Sequence, residues 1–427
     1  MTGSPLALAA DAALPARDLL LDEGRVAARL ASLLGARSPL AITRCEQVKA
    51  KYRIGESLRV LYRVEVDGAW RLVAGRMFPA GRSEEVFQRA ATREQAAGPF
   101  RPVAHDAAID TVFWSFPNDR KIPDLGVLER PPLDLSLPPS RRWRTSRIVA
   151  YDPERAATAL CLGARSEILA FTKVYANEDG AASERIHRAL HHSVAGSDRD
   201  LRLPRAYGYS PSTRVLVVEP LAGRELSALD ETELTRGFGR LGAALARLHE
   251  VPPFDLPRFR RLDPERLRQA AALIARARPD VGAAAEALAG DLVDQWRPSD
   301  EPAVVLHGDV NSRNWLLQPR RVALIDLDQA ALGPAAADLA GALAGIDYRL
   351  AVGEVAGGQP RLRRALLAGY LARRPLPAPD QLRWHEAAAV LVERALRAVR
   401  RLRPEGLLHL PRVIETGRAR LAGALDD

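Results

Sequence analysis

Residues 306–328 read LHGDVNSRNWLLQPRRVALIDLD, and this stretch decides the fold and the chemistry together. Asp309 stands in a short polar loop after the apolar run AVVL (303–306), and Asn314 follows within reach of the same loop. The segment RRVALIDLD (320–328) reads as a buried strand ending in carboxylates. Transfer of a γ-phosphoryl group needs one carboxylate to orient the acceptor hydroxyl, and oxygen ligands that hold Mg²⁺ against the nucleotide's phosphates. Asp309, Asn314 and Asp326 meet that requirement in one stretch. Asp and Asn in a turn are also ordinary turn formers and helix caps, so the weight rests on the whole pattern and the strand behind it. Asp328 stays open between two readings, approach to a metal and capping of the turn after its strand.

The pattern resembles the aminoglycoside phosphotransferase family, whose relatives include choline, homoserine and maltose kinases and, more distantly, protein kinases. The family signature, H-G-D-x-x-x-x-N followed by I-D, stands complete as His307-Gly308-Asp309, Asn314 and Ile325-Asp326. The resemblance implies that Asp309 is the catalytic base, that Asn314 and Asp326 are the Mg²⁺ ligands, and that His307 shapes the loop without doing chemistry. PAAADLA (334–340) is similar to the family's D-L-A helix start, which implies that Asp338 braces the catalytic loop. ATP with Mg²⁺ is the implied donor, although the residues do not separate ATP from GTP. The implied fold is α+β: a bilobal protein kinase-like fold with a small antiparallel-sheet nucleotide lobe and a larger, mainly helical lobe, here behind an extra N-terminal α/β cap.

The order of elements upstream agrees with that fold. Residues 146–175 alternate apolar runs and a turn at Gly163–Ser166, which predicts antiparallel strands. Lys173 sits in the last of them, EILAFTKVY, in a chain whose lysines occur only at 49, 51, 121 and 173. The resemblance makes Lys173 the lysine that binds the α- and β-phosphates, against a plain solvent-facing strand lysine. The helix expected over 181–194 offers Glu184 as the acid that pairs with Lys173. TRVLVVEPLAGRELSAL (213–229) is similar to the hinge, where Glu219 and Leu221 would present a backbone carbonyl and an N–H to adenine. The hairpin DPERAAT (152–158) departs from the pattern because it has no glycine, so either side chains such as Arg155 and Thr158 replace the phosphate-binding amides or the loop contributes little. His249, in ALARLHEVP, reads as a packing residue, residues 254–300 as a helical insertion, and 361–373 and 384–403 as amphipathic helices.

An internal repeat accounts for the extra length. YRIGESLRVLYRVEVDGAWRLVAGRMFP (52–79) echoes 151–176 in its run of turns and strands, with Arg76 where Lys173 stands in the second copy. Residues 38–130 then form a kinase-like small lobe without its lysine, and the Pro-rich stretch 130–140 is the linker. FPNDRK (116–121) is open between a substrate contact by Asn118, Asp119 and Arg120 and a common turn. The expected organisation is a cap over 1–130, a nucleotide lobe with hinge over 141–222, and a catalytic and acceptor-binding lobe over 223–427. The extended N-terminal region resembles the maltokinases in architecture only.

Composition narrows the partners. At 427 residues, 47% hydrophobic and 27% charged, the chain has the make-up of a globular protein able to bury a large core. Cys45 and Cys161 lie far apart without metal-ligand spacing, which points to a reducing cytosol and no zinc site. The apolar N-terminal stretch is interrupted by Asp11, Arg17 and Asp18, and no apolar run approaches the roughly 18 residues of a membrane span, so a cytoplasmic protein without membrane partners is expected. A net charge of +9 invites nucleic acid, but the arginines alternate with acids along helices and no nucleic-acid motif occurs. Residues 361–427 hold fourteen arginines against seven acids, a surface that repels a polycation within a Debye length of about 10 Å at 0.1 M salt. A small neutral or anionic hydroxyl acceptor, a sugar or sugar-like metabolite, is therefore expected ahead of an aminoglycoside. A catalytically weak pseudokinase is the other alternative, and a monomer or homodimer is expected.

Overall fold

The computed structural model describes residues 8–35, 38–90, 97–129, 143–194, 200–298, 301–354 and 359–424. Its first sheet is built from β1 (Ile42–Arg53), β2 (Ser57–Val66), β3 (Ala69–Met77), β4 (Val103–Asp106) and β5 (Thr111–Ser115), in the antiparallel order β1-β2-β3-β5-β4. The β2–β3 hairpin turns on Asp67-Gly68, both at positive φ (51° and 71°), the pair a type I′ turn demands. A second sheet holds β6 (Thr145–Asp152), β7 (Ala156–Leu162) and β8 (Ile168–Tyr175). After the helix Asp179–Val194 and the short β9 (Leu201–Arg202), it adds β10 (Ala206–Ser210) and β11 (Val215–Val218), in the order β6-β7-β8-β11-β10. Both sheets therefore share one connectivity: a three-strand meander, a helix, and two strands of which the last pairs with the third.

The remainder is helical apart from two small ladders. The helix Glu231–His249 starts with a capping box between Asp230 and Glu233. Residues 264–277 and 282–294 form two helices of the expected insertion. β12 (Val304–Leu306) pairs with β15 (Ala331–Gly333), and β13 (Trp315–Leu317) with β14 (Val322–Leu324). Helices Ala336–Ala351, Gln359–Leu371, Pro379–Ala389, Leu396–Arg401, Pro404–Leu408 and Leu410–Leu421 complete the lobe. The fold is α+β and bilobal, a small antiparallel nucleotide-type sheet set on a mainly helical lobe in the protein kinase-like manner.

The first sheet touches both lobes. Its apolar face (Leu58, Val60, Tyr62) shares one core with Leu267, Ile274, Val390 and Val399 of the helical lobe. Ile122, Leu125 and Leu128 join the core under the second sheet. The linker expected over 130–140 lies outside the described residues. Trp384, Leu391, Val399 and Leu402 are buried as their spacing implies. The opposite side of that segment differs from the expected polar surface, because Glu386 and Arg394 are buried as well. Glu386 joins Arg363, Asp347 and Arg420 in a buried network, where burial and the neighbouring Asp347 push its carboxyl up to about 7 against the pull of Arg363. No helix among the described residues is long and apolar enough to cross a membrane.

Candidate active site

β12 delivers His307, Gly308 and Asp309 into a loop that several buried groups hold. Asp338, in the first turn of the helix Ala336–Ala351, accepts hydrogen bonds from the His307 N–H (2.7 Å) and the Gly308 N–H (2.9 Å). His249 Nε2 lies 3.3 Å from the same carboxylate, and its Nδ1 lies 2.9 Å from the Tyr370 hydroxyl. Burial opposes the charge of Asp338, yet His249, His307 and the loop amide keep its pKa below the ordinary value. His307 Nε2 donates to the Ile325 carbonyl at 3.0 Å and Nδ1 accepts from the Asp309 N–H at 3.3 Å, so this ring ties the catalytic loop to the strand that carries Asp326. Gly308 has φ +75°, and a Cβ there would sit 2.0 Å from the Gln329 carbonyl oxygen, which leaves glycine as the residue that fits.

Asp309 and Asn314 meet across this loop. Asn314 Nδ2 donates to the Asp309 carbonyl (2.9 Å) and to Oδ2 (3.3 Å). Asp309 Oδ1 lies 3.5 Å from Arg397 Nη1 and 3.9 Å from Arg261 Nη1. Burial works against the charge of Asp309, but Arg397 and Arg261 hold its pKa below the usual carboxylate range. Asp309 is thus an ionised acceptor at neutral pH.

Asp326 follows β14 at φ 61°, ψ 65°, a left-handed conformation that turns its half-exposed carboxylate toward β8. Lys173 Nζ bridges Asp326 Oδ1 (2.9 Å) and Asp328 Oδ2 (2.6 Å). Burial disfavours the ammonium, and Tyr175, Asp326 and Asp328 outweigh it to raise the pKa of Lys173. The Tyr175 hydroxyl (3.0 Å) and the Ser183 hydroxyl (2.8 Å) donate to Asp328 Oδ1. The assignment of Glu184 to Lys173 is corrected here. Glu184 pairs with Arg188 one turn along its own helix. Successive helical residues are rotated by about 100°, so Ser183 faces Asp328 while its neighbour turns aside.

The donor set suits Mg²⁺. Asn314 uses its amide nitrogen on Asp309, which leaves Oδ1 as an acceptor, and Asp326 offers carboxylate oxygens; Mg²⁺ is commonly held by one or two such groups plus phosphates. Among the described residues no group of three His, Cys, Asp or Glu is placed to hold a metal alone.

The glycine-free hairpin between β6 and β7 is held from outside. Glu154 occupies its left-handed position (φ 64°), and Arg76 and Arg120 of the N-terminal region pair with its carboxylate. Arg59 donates to the Pro153 carbonyl. Asp119 accepts from the Tyr151 hydroxyl (2.7 Å) and the Glu154 N–H (2.8 Å). The FPNDRK turn therefore contacts the hairpin. Arg155 is exposed, and Thr158 lies opposite Lys173 in the ladder. In the segment expected to be the hinge, the Glu219 N–H donates to the Arg205 carbonyl (2.9 Å) and its carboxylate meets Arg202. Leu221 follows in coil, and Arg224 exchanges both backbone hydrogen bonds with Leu317 at 2.9 Å.

A cavity of about 630 Å³ opens in front of Asp309, Asn314 and Asp326. Its wall also carries Tyr348, Arg349, Arg394, Arg397 and Arg403, and Lys49 lines it from β1. Sequence reasoning missed these residues: Arg394 and Arg397 read as helix surface. Lys49, one of only four lysines, was a visible signal.

A loop aspartate bonded to an asparagine, a second aspartate just after β14 and a sheet lysine facing it lie together in a kinase-like fold. A family profile described as the phosphotransferase enzyme family (APH) matches residues 169–385, half of the chain, and the protein belongs to that family. No curated protein matches the chain. Among solved structures, a spectinomycin phosphotransferase bound to ADP and spectinomycin is 15% identical, with 65% of this chain and 93% of that chain covered and a TM-score of 0.46. An amicoumacin kinase bound to AMP-PNP is 11% identical over 69% and 91%, with a TM-score of 0.47. A choline/ethanolamine kinase family protein from Mesorhizobium loti is 14% identical over 64% and 88%, with a TM-score of 0.44.

Proposed function

We propose that the protein transfers the γ-phosphoryl group of Mg-ATP to a hydroxyl of a small molecule, a sugar or sugar-like metabolite. The convergence of Asp309, Asn314, Asp326 and Lys173 from the loop, the strand end and β8 carries this reading. Asp309 orients the acceptor hydroxyl and takes its proton as the oxygen bonds to the γ-phosphorus and the bond to ADP breaks. Asn314 and Asp326 would hold Mg²⁺, which when bound neutralises charge on the phosphates. Lys173 exchanges its carboxylate partners for the α- and β-phosphates, and the backbone at Glu219 and Leu221 receives adenine. His307 and Asp338 position the loop.

In the same reading, residues 1–130 are a cap derived from a second copy of the small lobe, 141–222 the nucleotide lobe, and 223–427 the catalytic and acceptor-binding lobe. The enzyme works in the cytoplasm as a monomer or homodimer, with neither nucleic acid nor membrane as partner.

Two substitutions test the assignment. Asp309→Asn lowers kcat by roughly 10²–10⁴-fold with nucleotide affinity retained, whereas Asp326→Ala weakens Mg²⁺-dependent nucleotide binding measured by titration calorimetry. Substantial transfer in Asp309→Asn removes it from the base role. Nucleotide affinity indifferent to Asp326→Ala removes the metal assignment.

A further inference from the structure

Resting on that reading, we infer that the acceptor carries an oxyanion, a carboxylate or a phosphate, which Arg394, Arg397 and Arg403 receive together with Lys49 of the N-terminal sheet. All four line the cavity that opens on Asp309, so a ligand whose hydroxyl meets Asp309 extends toward them. The acids of that wall are already engaged. Glu393 pairs with Arg261 at 3.1 Å and Glu354 with Arg349 at 3.6 Å. Arg397 has only the 3.5 Å contact with Asp309 among the described residues, and that carboxylate must turn to the acceptor hydroxyl for the reaction.

Arg394 is the most telling of the group. It is 8% exposed, its Nη2 donates to the Gly341 carbonyl at 2.5 Å, and its buried Nε has no partner among the described residues. Glu393 and Asp309 act on it through space, but none of the ion pairs among the described residues includes it; a guanidinium taken out of water without a direct partner is costly, and a planar two-nitrogen edge is the group that matches a carboxylate or phosphate. Arg394 sits in a π-helical turn, Val390–Ala395, that interrupts the long helix at the cavity; such turns concentrate at functional sites. The positive charge continues toward the cap, where Arg401 Nη1 is buried without a hydrogen-bond partner among the described residues and Asp152 is the carboxylate that faces both Arg401 (3.9 Å) and Lys49 (3.3 Å). Burial and then the neighbouring Arg59, Arg401 and Arg155 bring Lys51 down to about 8 against the pull of Asp152. A polycationic acceptor would meet this wall with like charge.

The nucleotide's own phosphates are the other source of negative charge, and a comparison of KM values separates the two. ADP release is measured with saturating Mg-ATP and with gluconate, glucuronate, glucose 6-phosphate, their neutral counterparts glucose and sorbitol, and an aminoglycoside, each with Asp309→Asn as blank. Binding of inorganic sulfate is followed in parallel by calorimetry. The inference expects kcat/KM for an anionic acceptor roughly tenfold or more above its neutral counterpart. Arg403→Ala, at an exposed position, and Arg394→Met should each raise the acceptor KM, weaken sulfate binding and leave the ATP KM in place. Acid or phosphate acceptors preferred over one another identify which oxyanion is read. Turnover of neutral or cationic acceptors at equal or higher efficiency overturns the inference and leaves phosphotransfer standing, as does a rise in the ATP KM alone. Sulfate binding lost in both variants, without turnover of any acceptor, supports the anion site and contradicts the kinase reading. Sulfate binding unchanged in both variants contradicts the anion site.

Discussion

At the scale of single residues the site is a set of charges held apart by their partners. Asp309 is kept ionised by Arg397 and Arg261, Lys173 by Asp326 and Asp328, and Asp338 is buried where two loop amides need an acceptor. Glu154 shows the same logic outside the catalytic loop and makes a pH prediction. Burial alone would raise its pKa, but Arg120 and Arg76 bring it from 4.5 down to about 2. Above pH 4.5 this carboxyl is ionised in folded and unfolded chains alike, so its contribution is complete; it is lost as pH falls from 4.5 toward 2. At 1.36 kcal/mol per pKa unit the contribution is about 3 kcal/mol. Chemical unfolding of the wild type and Glu154→Gln from pH 7 to pH 3 should show a stability gap that narrows below pH 4.5, and a gap constant with pH would contradict this. Asp309, Asn314 and Asp326 were legible in the sequence because one short stretch carries them. The partner of Lys173 was not, because Asp328 lies 155 residues away and only the folded chain shows that Ser183, not Glu184, faces it.

At the scale of elements, the hairpin between β6 and β7 takes its shape from the first sheet. A glycine-rich loop lies close to phosphates because bare backbone can approach them; here Arg59, Arg76, Arg120 and Asp119 fix the turn from the other side. Arg76→Met should loosen this turn and raise the KM for ATP by roughly three- to tenfold while leaving the acceptor KM unchanged. Steady-state kinetics with either substrate varied decides it, and an effect confined to the acceptor would contradict the clamp. The strands of the second sheet were readable from their apolar runs and the turn at Gly163–Ser166. Two features were hidden. The polar residues at 386 and 394 looked like a solvent face because helical periodicity reports which residues differ from the core, not what lies opposite them. The π-turn at Val390–Ala395 leaves no compositional mark.

At the scale of the whole molecule, two sheets of one connectivity stand in unequal positions. The second sheet supplies Lys173 and leads into the proposed hinge. The first shares its core with the helical lobe, clamps the hairpin and sends Lys49 into the cavity beside Asp309. Pattern similarity between 52–79 and 151–176 pointed to two sheets of like connectivity, but the placement of the first across both lobes depends on long-range packing that no local signal encodes. The proposed reaction is phosphoryl transfer from Mg-ATP to a hydroxyl, and the most direct measurement of it is Mg²⁺-dependent ADP release by the full chain across sugars, sugar acids, amino alcohols and aminoglycosides. Phosphotransfer of this kind gives acceptor-stimulated turnover that EDTA abolishes and Asp309→Asn lacks; turnover indifferent to Mg²⁺ or to that substitution, or Mg-ATP binding without acceptor-stimulated turnover anywhere in the panel, would contradict it.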